Sequence, residues 1–151
     1  MSKPKVSISQ INIIAKNYGE TLRFYRMVGL DIPEPVNQPV GALHALSKSD
    51  EGMALEVDNH HLASIYHAGI RKNGNSSGST IIGISLESRD LVDVTYARLV
   101  EAGFEGRQPP YDAFWGSRYA VVADPDGNDV GLMSPPDEGK ASWPPVNSPE
   151  P

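Results

Sequence analysis

The order of predicted elements in this chain runs twice, and that constrains its fold more than any single motif. Val6 to Ala15 reads as a strand with Val6, Ile8, Gln10, Asn12 and Ile14 on one side. Asn17 with Glu20 three residues on makes a capping-box start, and Tyr18, Leu22, Tyr25 and Val28 share one face of the helix that Gly29 ends. Two short strands around a turn at Asn37 to Pro39, then a hairpin turn at Ser49 to Gly52, lead into a strand at Met53 to Asp58. Beyond a connector the pattern returns. Thr80 to Glu87 alternates like a strand, and Asp90 caps a helix carrying Val92, Tyr96, Leu99 and Val100, which Gly103 closes. Further strands are predicted at Phe104 to Gln108, Trp115 to Ala123 and Asn128 to Met133. Gln10 and Gly83 stand 73 positions apart, as do Asn12 and Ser85, while Gly52 and Gly127 stand 75 apart. The expected fold class is α+β: two β-α-β-β-β modules, about residues 5–58 and 79–134, whose curled mixed sheets enclose a cleft.

Composition bounds what such a fold does. At 151 residues and 39% hydrophobic content there is material for one core, placed here in a domain spanning 1–134. The connector, residues 59–78, has weak helical character over Asn59 to Ile70 and is rich in Gly, Asn and Ser over Arg71 to Ser79. Residues 135–151 are dominated by Pro, Ser, Glu and Lys and read as a disordered tail, with Trp143 a solitary aromatic in it. A formal charge of −6 opposes a sequence-independent grip on phosphate backbones, so no nucleic-acid partner is expected. The absence of cysteine excludes thiol nucleophiles and thiolate metal sites. No long apolar run follows the basic start Met1 to Lys5, so neither a signal peptide nor a membrane partner is expected, and the cytoplasm is the default location.

The segments Ile11 to Ala15, Thr21-Leu22-Arg23-Phe24-Tyr25, Gly29-Leu30, Tyr96-Ala97-Arg98-Leu99 to Gly103 and Asp124-Pro125-Asp126-Gly127-Asn128 occur in an order and spacing that resembles the vicinal oxygen chelate superfamily. That superfamily groups glyoxalase I, bleomycin-resistance proteins and ring-cleaving dioxygenases. The resemblance covers about residues 5–134 and implies paired modules around a cleft, commonly completed by homodimerisation. In family enzymes a divalent metal sits between the halves, held by His, Gln or Glu from the first and last strands of each module. The matching positions here carry Gln10, Glu56, Gly83 and Gly131. Two of the four have no side-chain donor, so the expectation is no metal cofactor. The alternative is a divalent Zn, Ni, Mn or Fe ion held by Gln10, Glu56 and His44 in a glyoxalase-like lyase or isomerase, or in a dioxygenase-type enzyme.

The metal-free expectation makes the cleft a site for a small organic ligand, resembling the antibiotic-binding members that sequester drugs without catalytic residues. Replacing two ligands by glycine is expected to leave space beside Gln10, Asn12, Glu56 and Ser85. Tyr111, Phe114, Trp115 and Tyr119 put four rings into nine positions, suited to stacking on a planar guest. Phe114 and Met133 read more simply as core. His44 falls 75 positions before Tyr119, and both are expected to line the cleft, with Gln10, Asn12 and His44 giving hydrogen bonds and Glu56 an anionic point. His60, His61 and His67 fit no common face and read as solvated. Asp58 shares a strand face with Glu56 but reads as an edge charge.

Overall fold

The computed structural model describes residues 2–34, 36–37, 41–50, 52–73, 80–125 and 127–142. The first module comprises β1 (Val6–Ala15), α1 (Tyr18–Val28), β2 (Val36–Asn37), β3 (Leu43–Lys48) and β4 (Ala54–Asn59). Two short helices, α2 (His60–Tyr66) and α3 (Ala68–Asn73), form the connector. The second module repeats the order with β5 (Thr80–Leu86), α4 (Arg89–Glu101), β6 (Gly106–Asp112), β7 (Arg118–Ala123) and β8 (Asp129–Met133). All eight strands join one mixed sheet in the order β2-β3-β4-β1-β5-β8-β7-β6. From either edge inward, the sheet meets the corresponding strands of the two modules in the same succession. The halves meet where β1 and β5 pair antiparallel, while β4 runs parallel to β1 and β8 parallel to β5. The two expected sheets are therefore continuous with each other.

Local chemistry explains the element ends. Asn17 accepts a hydrogen bond from the Glu20 amide at the start of α1, and Gly29, at φ +116°, closes it in the left-handed region. Ser88, rather than Asp90, is the cap of α4: its side chain accepts from the Leu91 amide, and Asp90 sits in the first turn, where a negative charge also suits the helix dipole. Gly52 and Gly127 both take positive φ in hairpin turns 75 positions apart, so the duplication holds at the level of backbone conformation. The register refines it. Gly83 pairs with Gly131 as Asn12 pairs with Glu56. With β4 and β8 offset by 75 positions, the register equivalent of Gly83 is Asn12, two residues from the spacing read in the sequence.

Alternation splits the core between the two faces of the sheet. Val57 packs with Leu22, Ile32 and Ala45 on the α1 side, whereas its neighbours Glu56 and Asp58 face the other way. Ala120 and Val122 pack with Val92 of α4, while Val121 joins Ile14, Ile81, Leu62, Ala63 and Tyr66 on the opposite face. The connector helices thus cover the face that the module helices leave bare.

Three expected boundaries move. Trp115 lies outside a strand, because residues 113–117 form a turn closed by Ala113 N–H to Ser117 O and Gly116 N–H to Ala113 O. Gly116 takes φ +97° there, and a Cβ would strike the Asp137 backbone, so the ring-rich segment turns where alternation alone reads as extension. Strand β6 runs to Asp112 through Pro109 and Pro110, which an edge strand tolerates, and its pairing slips twice. The Pro-rich segment is not wholly unstructured: Glu138–Lys140 makes a 3-10 turn, Asp137 N–H bonds Gly116 O, and Ser142 N–H bonds Phe114 O. Trp143 and the remainder of the tail lie outside the described residues, as do most of the Asn37 to Pro39 turn and residues 74–79 of the connector.

Candidate functional site

The face covered by the connector holds a cavity of about 300 Å³ lined by Gln10, Asn12, His44, Glu56, Asp58, Leu62, Tyr66, Phe114, Trp115, Tyr119 and Met133. Strand pairing sets its floor. In the register, Asn12 stands beside Glu56 and His44 beside Asp58, so three neighbouring strands of the first module deliver polar side chains to one place. The second module and α2 deliver rings. Tyr66 and Tyr119 are perpendicular with centroids 6.1 Å apart, and Trp115 meets Tyr66 at 6.0 Å and Tyr119 at 5.1 Å, both edge-on. The result is a polar floor under an aromatic wall.

The floor is one hydrogen-bonded network centred on Asp58, which is 1% exposed. His44 Nδ1 donates to its Oδ1 at 2.6 Å, and the Tyr66 hydroxyl donates to Oδ2 at 2.7 Å. Asn12 Nδ2 donates to both carboxylates, at 2.9 Å to Glu56 Oε2 and 3.2 Å to Asp58 Oδ2, while its own Oδ1 accepts from Gln10 Nε2 at 2.7 Å. This sets both amide orientations, since a reversed Asn12 would turn its oxygen on two carboxylates. Burial works against a charged His44, but the hydrogen bond and charge of Asp58, with Glu56 nearby, outweigh it and raise the imidazole above its ordinary range. Burial raises the Glu56 carboxyl and the Asp58 charge adds to this, only partly offset by His44 and by hydrogen bonds from Asn12 and Gln10. Tyr66 and Tyr119 are pushed well up, first by burial; among the charges that add to this, both feel Asp58 and Glu56.

The connector is fastened to both modules. Asn59 caps α2 through the Leu62 amide and also accepts from Leu43 N–H, tying the helix to the first module. At its far end His67 is fully buried, where it accepts from the Gly69 amide at Nδ1 and donates from Nε2 to Asp129 Oδ2 at 3.0 Å. The other Asp129 oxygen pairs with Arg107, and Gln108 Oε1 accepts from Ala68 N–H. Burial alone would raise Asp129, yet His67 and Arg107 hold its carboxyl below the usual range. His67 is therefore a clamp and not a solvated side chain; the partners that make it so lie 62 and 2 positions away, outside any periodic pattern. His61 is exposed, as expected, and His60 is half-buried at the start of α2.

Six of the eight residues expected to contact a ligand come together: Gln10, Asn12, His44, Glu56, Trp115 and Tyr119. Two stay outside the lining. Ser85 pairs with Ser7 and Met133 towards the far end of β5, and Tyr111 packs edge-on against Tyr119 and donates its hydroxyl to Tyr66 O. Phe114 and Met133 line the cavity besides packing on the core. Asp58 is the buried centre of the floor and not an edge charge, because β3 covers its strand on one side and β1 on the other. Tyr66 was not among the expected residues; the one available signal is Asn59, whose cap starts the helix that aims it.

The space expected beside the two glycines is filled. A Cβ at Gly83 would overlap Gln10 Cγ, and one at Gly131 would lie 2.8 Å from the Tyr119 hydroxyl and 3.1 Å from Cε1. The second-module metal positions thus lack donors and room alike. In the first module His44, Glu56 and Asp58 offer atoms within 4.8 Å of one another. These three side chains are a possible metal-binding group, and here they are hydrogen-bonded to one another, to Asn12 and to Tyr66.

A duplicated β-α-β-β-β chain in one mixed sheet, with a cavity on the connector face, defines a vicinal oxygen chelate type of protein. The chain belongs to the Glyoxalase/Bleomycin resistance protein/Dioxygenase superfamily, which it matches over residues 7–132. No curated protein matches it. Among solved structures it is similar to a hypothetical protein from Bacillus halodurans C-125, at 16% identity and TM-score 0.60 over 88% of this chain and 96% of that one. A superfamily member from Vibrio splendidus 12B01 shares 9% identity at TM-score 0.52, over 87% and 98% of the two chains. The Mn(II)-bound glyoxalase from Novosphingobium aromaticivorans shares 15% at TM-score 0.50, over 86% of this chain and 40% of that one. At these identities the likeness is one of fold. No helix among the described residues is long and apolar enough to cross a membrane.

Proposed function

We propose that this protein binds a small aromatic or amphipathic organic molecule in its cavity, without a metal ion and without altering the molecule, as a sequestering member of its superfamily. The observation that carries this reading is the state of the second-module positions: Gly83 and Gly131 have no donor, and Gln10 and the Tyr119 ring occupy the space beside them. The rings of Tyr66, Trp115 and Tyr119 supply contact area with few rotatable bonds to freeze, and the floor supplies directional hydrogen bonds. The reading includes a cytoplasmic homodimer. Val6 and Ile8, 56% and 59% exposed, are apolar surface that a second copy would cover.

Metal analysis of protein purified without chelator, followed by a zinc, nickel and manganese titration, tests the first half. Well under one ion per chain and no change in thermal midpoint with chelator are expected; a stoichiometric ion lost in His44→Ala or Glu56→Ala would replace this reading with the metalloenzyme. Screening planar aromatic compounds by tryptophan quenching tests the second half. Binders should be recovered unchanged, Trp115→Ala should weaken them by roughly 1–3 kcal/mol, and Trp143→Ala should leave them unaffected. Sedimentation at micromolar concentration checks the dimer.

A further inference from the structure

Resting on the proposed binding role, the geometry points to a chemical class for the guest: we infer that the cavity takes a small organic cation, its ammonium or amidinium group on Glu56 and its hydrocarbon body against Tyr66, Trp115 and Tyr119. The first ground is a charge count. Among the described residues the lining contains two carboxylates, Glu56 and Asp58, and a single basic group, His44, with neither Lys nor Arg. Asp58 is provided for by His44, Tyr66 and Asn12. Even with His44 protonated and acting on both carboxylates, one negative charge is left without a counter-charge among the described lining residues. The side-chain partners of Glu56 are the neutral amides of Asn12 and Gln10, which bring hydrogen bonds and no charge. A half-buried carboxylate left in this state costs free energy that a cationic guest recovers by supplying the missing charge and its hydrogen bonds.

The second ground is the wall. Aromatic faces carry negative potential, so rings opposite a carboxylate attract a cation and repel an anion. The hydroxyls of Tyr66 and Tyr119 both feel Asp58 and Glu56, whose charges add to burial in raising them. The third ground is size. About 300 Å³ lies at the lower end of ligand pockets, room for one substituted ring or a short amine and not for a large antibiotic. Shape, field and hydrogen-bond demand agree on a compact amine.

Three probes of one shape decide the matter: phenethylamine, phenethyl alcohol and hydrocinnamate, titrated into the full chain with tryptophan fluorescence and calorimetry as readouts. The amine should bind about tenfold more tightly than the alcohol, with the carboxylate weakest, and Glu56→Gln should bring amine and alcohol within about twofold. Equal or tighter binding of the alcohol or carboxylate would overturn the cation assignment while leaving the small-molecule reading in place. An amine preference that survives Glu56→Gln would overturn it as well. Failure of all three probes to bind would overturn both. Should Glu56→Gln not fold, the order of the three probes on the wild-type chain decides alone.

Discussion

The two modules share strand order, pairing and register, yet they bring opposite chemistry to the cavity. Seventy-five positions separate His44 from Tyr119, Glu56 from Gly131 and Asp58 from Met133. At each pair the first module has an ionisable group, and the second has a ring, a thioether or no side chain. Backbone geometry cannot explain the difference, because β3 and β4 pair as β7 and β8 do: His44 with Asp58, Tyr119 with Met133. Duplication therefore supplies two equal frames, and substitution at matched positions makes one a floor and the other a wall. A symmetric scaffold thereby holds a cavity with two chemically distinct ends.

Forcing the second module to resemble the first should be the most damaging change. Gly131→Glu drives a side chain into Tyr119 and buries a further carboxylate without a partner, so a loss of about 3 kcal/mol or more in urea unfolding is expected. A variant that is instead stable and binds zinc would show that the two halves can still meet around an ion. Asp129→Asn tests whether the modules depend on their common clamp. Leaving His67 and Arg107 without their carboxylate should cost on the order of 3 kcal/mol at neutral pH. The depressed Asp129 carboxyl stabilises the fold fully above its unfolded value of 3.8, and this is lost as pH falls through the lower folded value. The gap between wild type and variant in thermal midpoint should thus be constant from pH 7 to 5 and close in stronger acid.

Within the first module, Tyr66→Phe removes one of three donors to Asp58 and should cost about 1.5 kcal/mol by denaturant titration; no change would mean the floor does not need the connector. The smallest effect has the opposite sign. Glu56 is raised in the folded state, so its ionisation opposes folding as pH climbs above the ordinary 4.5. Glu56→Gln should raise the thermal midpoint modestly at pH 7 and leave it unchanged below 4.5.

Local signals carry far in this chain. The bounds of β1, the Asn17 and Gly29 caps of α1 and the repeated hairpin glycines follow from residues within a few positions of one another, and the structure has them where periodicity and capping chemistry put them. Five of the six cavity residues, Gln10, Asn12, His44, Glu56 and Tyr119, are legible for a related reason: they lie on strands whose parity is readable. What stayed hidden depends on distant partners. His67 looks solvated until Asp129 arrives from 62 positions on, and Asp58 looks peripheral until Tyr66 and His44 close over it. Trp115 reaches the cavity from a turn and not from the strand that its alternating neighbours suggest, since alternation hides the turn that Gly116 imposes.

That turn has a further consequence, for the order in which the protein is made. The carbonyls of Phe114 and Gly116 are held by the amides of Ser142 and Asp137, and Arg89 also bonds Gly116 O. A chain leaving the ribosome has both modules complete before residues 137–142 emerge. The sheet and the polar floor use no residue beyond Met133, while the loop carrying Trp115 takes two of its fastenings from residues 137–142. A chain truncated before Asp137 should therefore present a cavity whose floor is built and whose Trp115 loop lacks two of its fastenings.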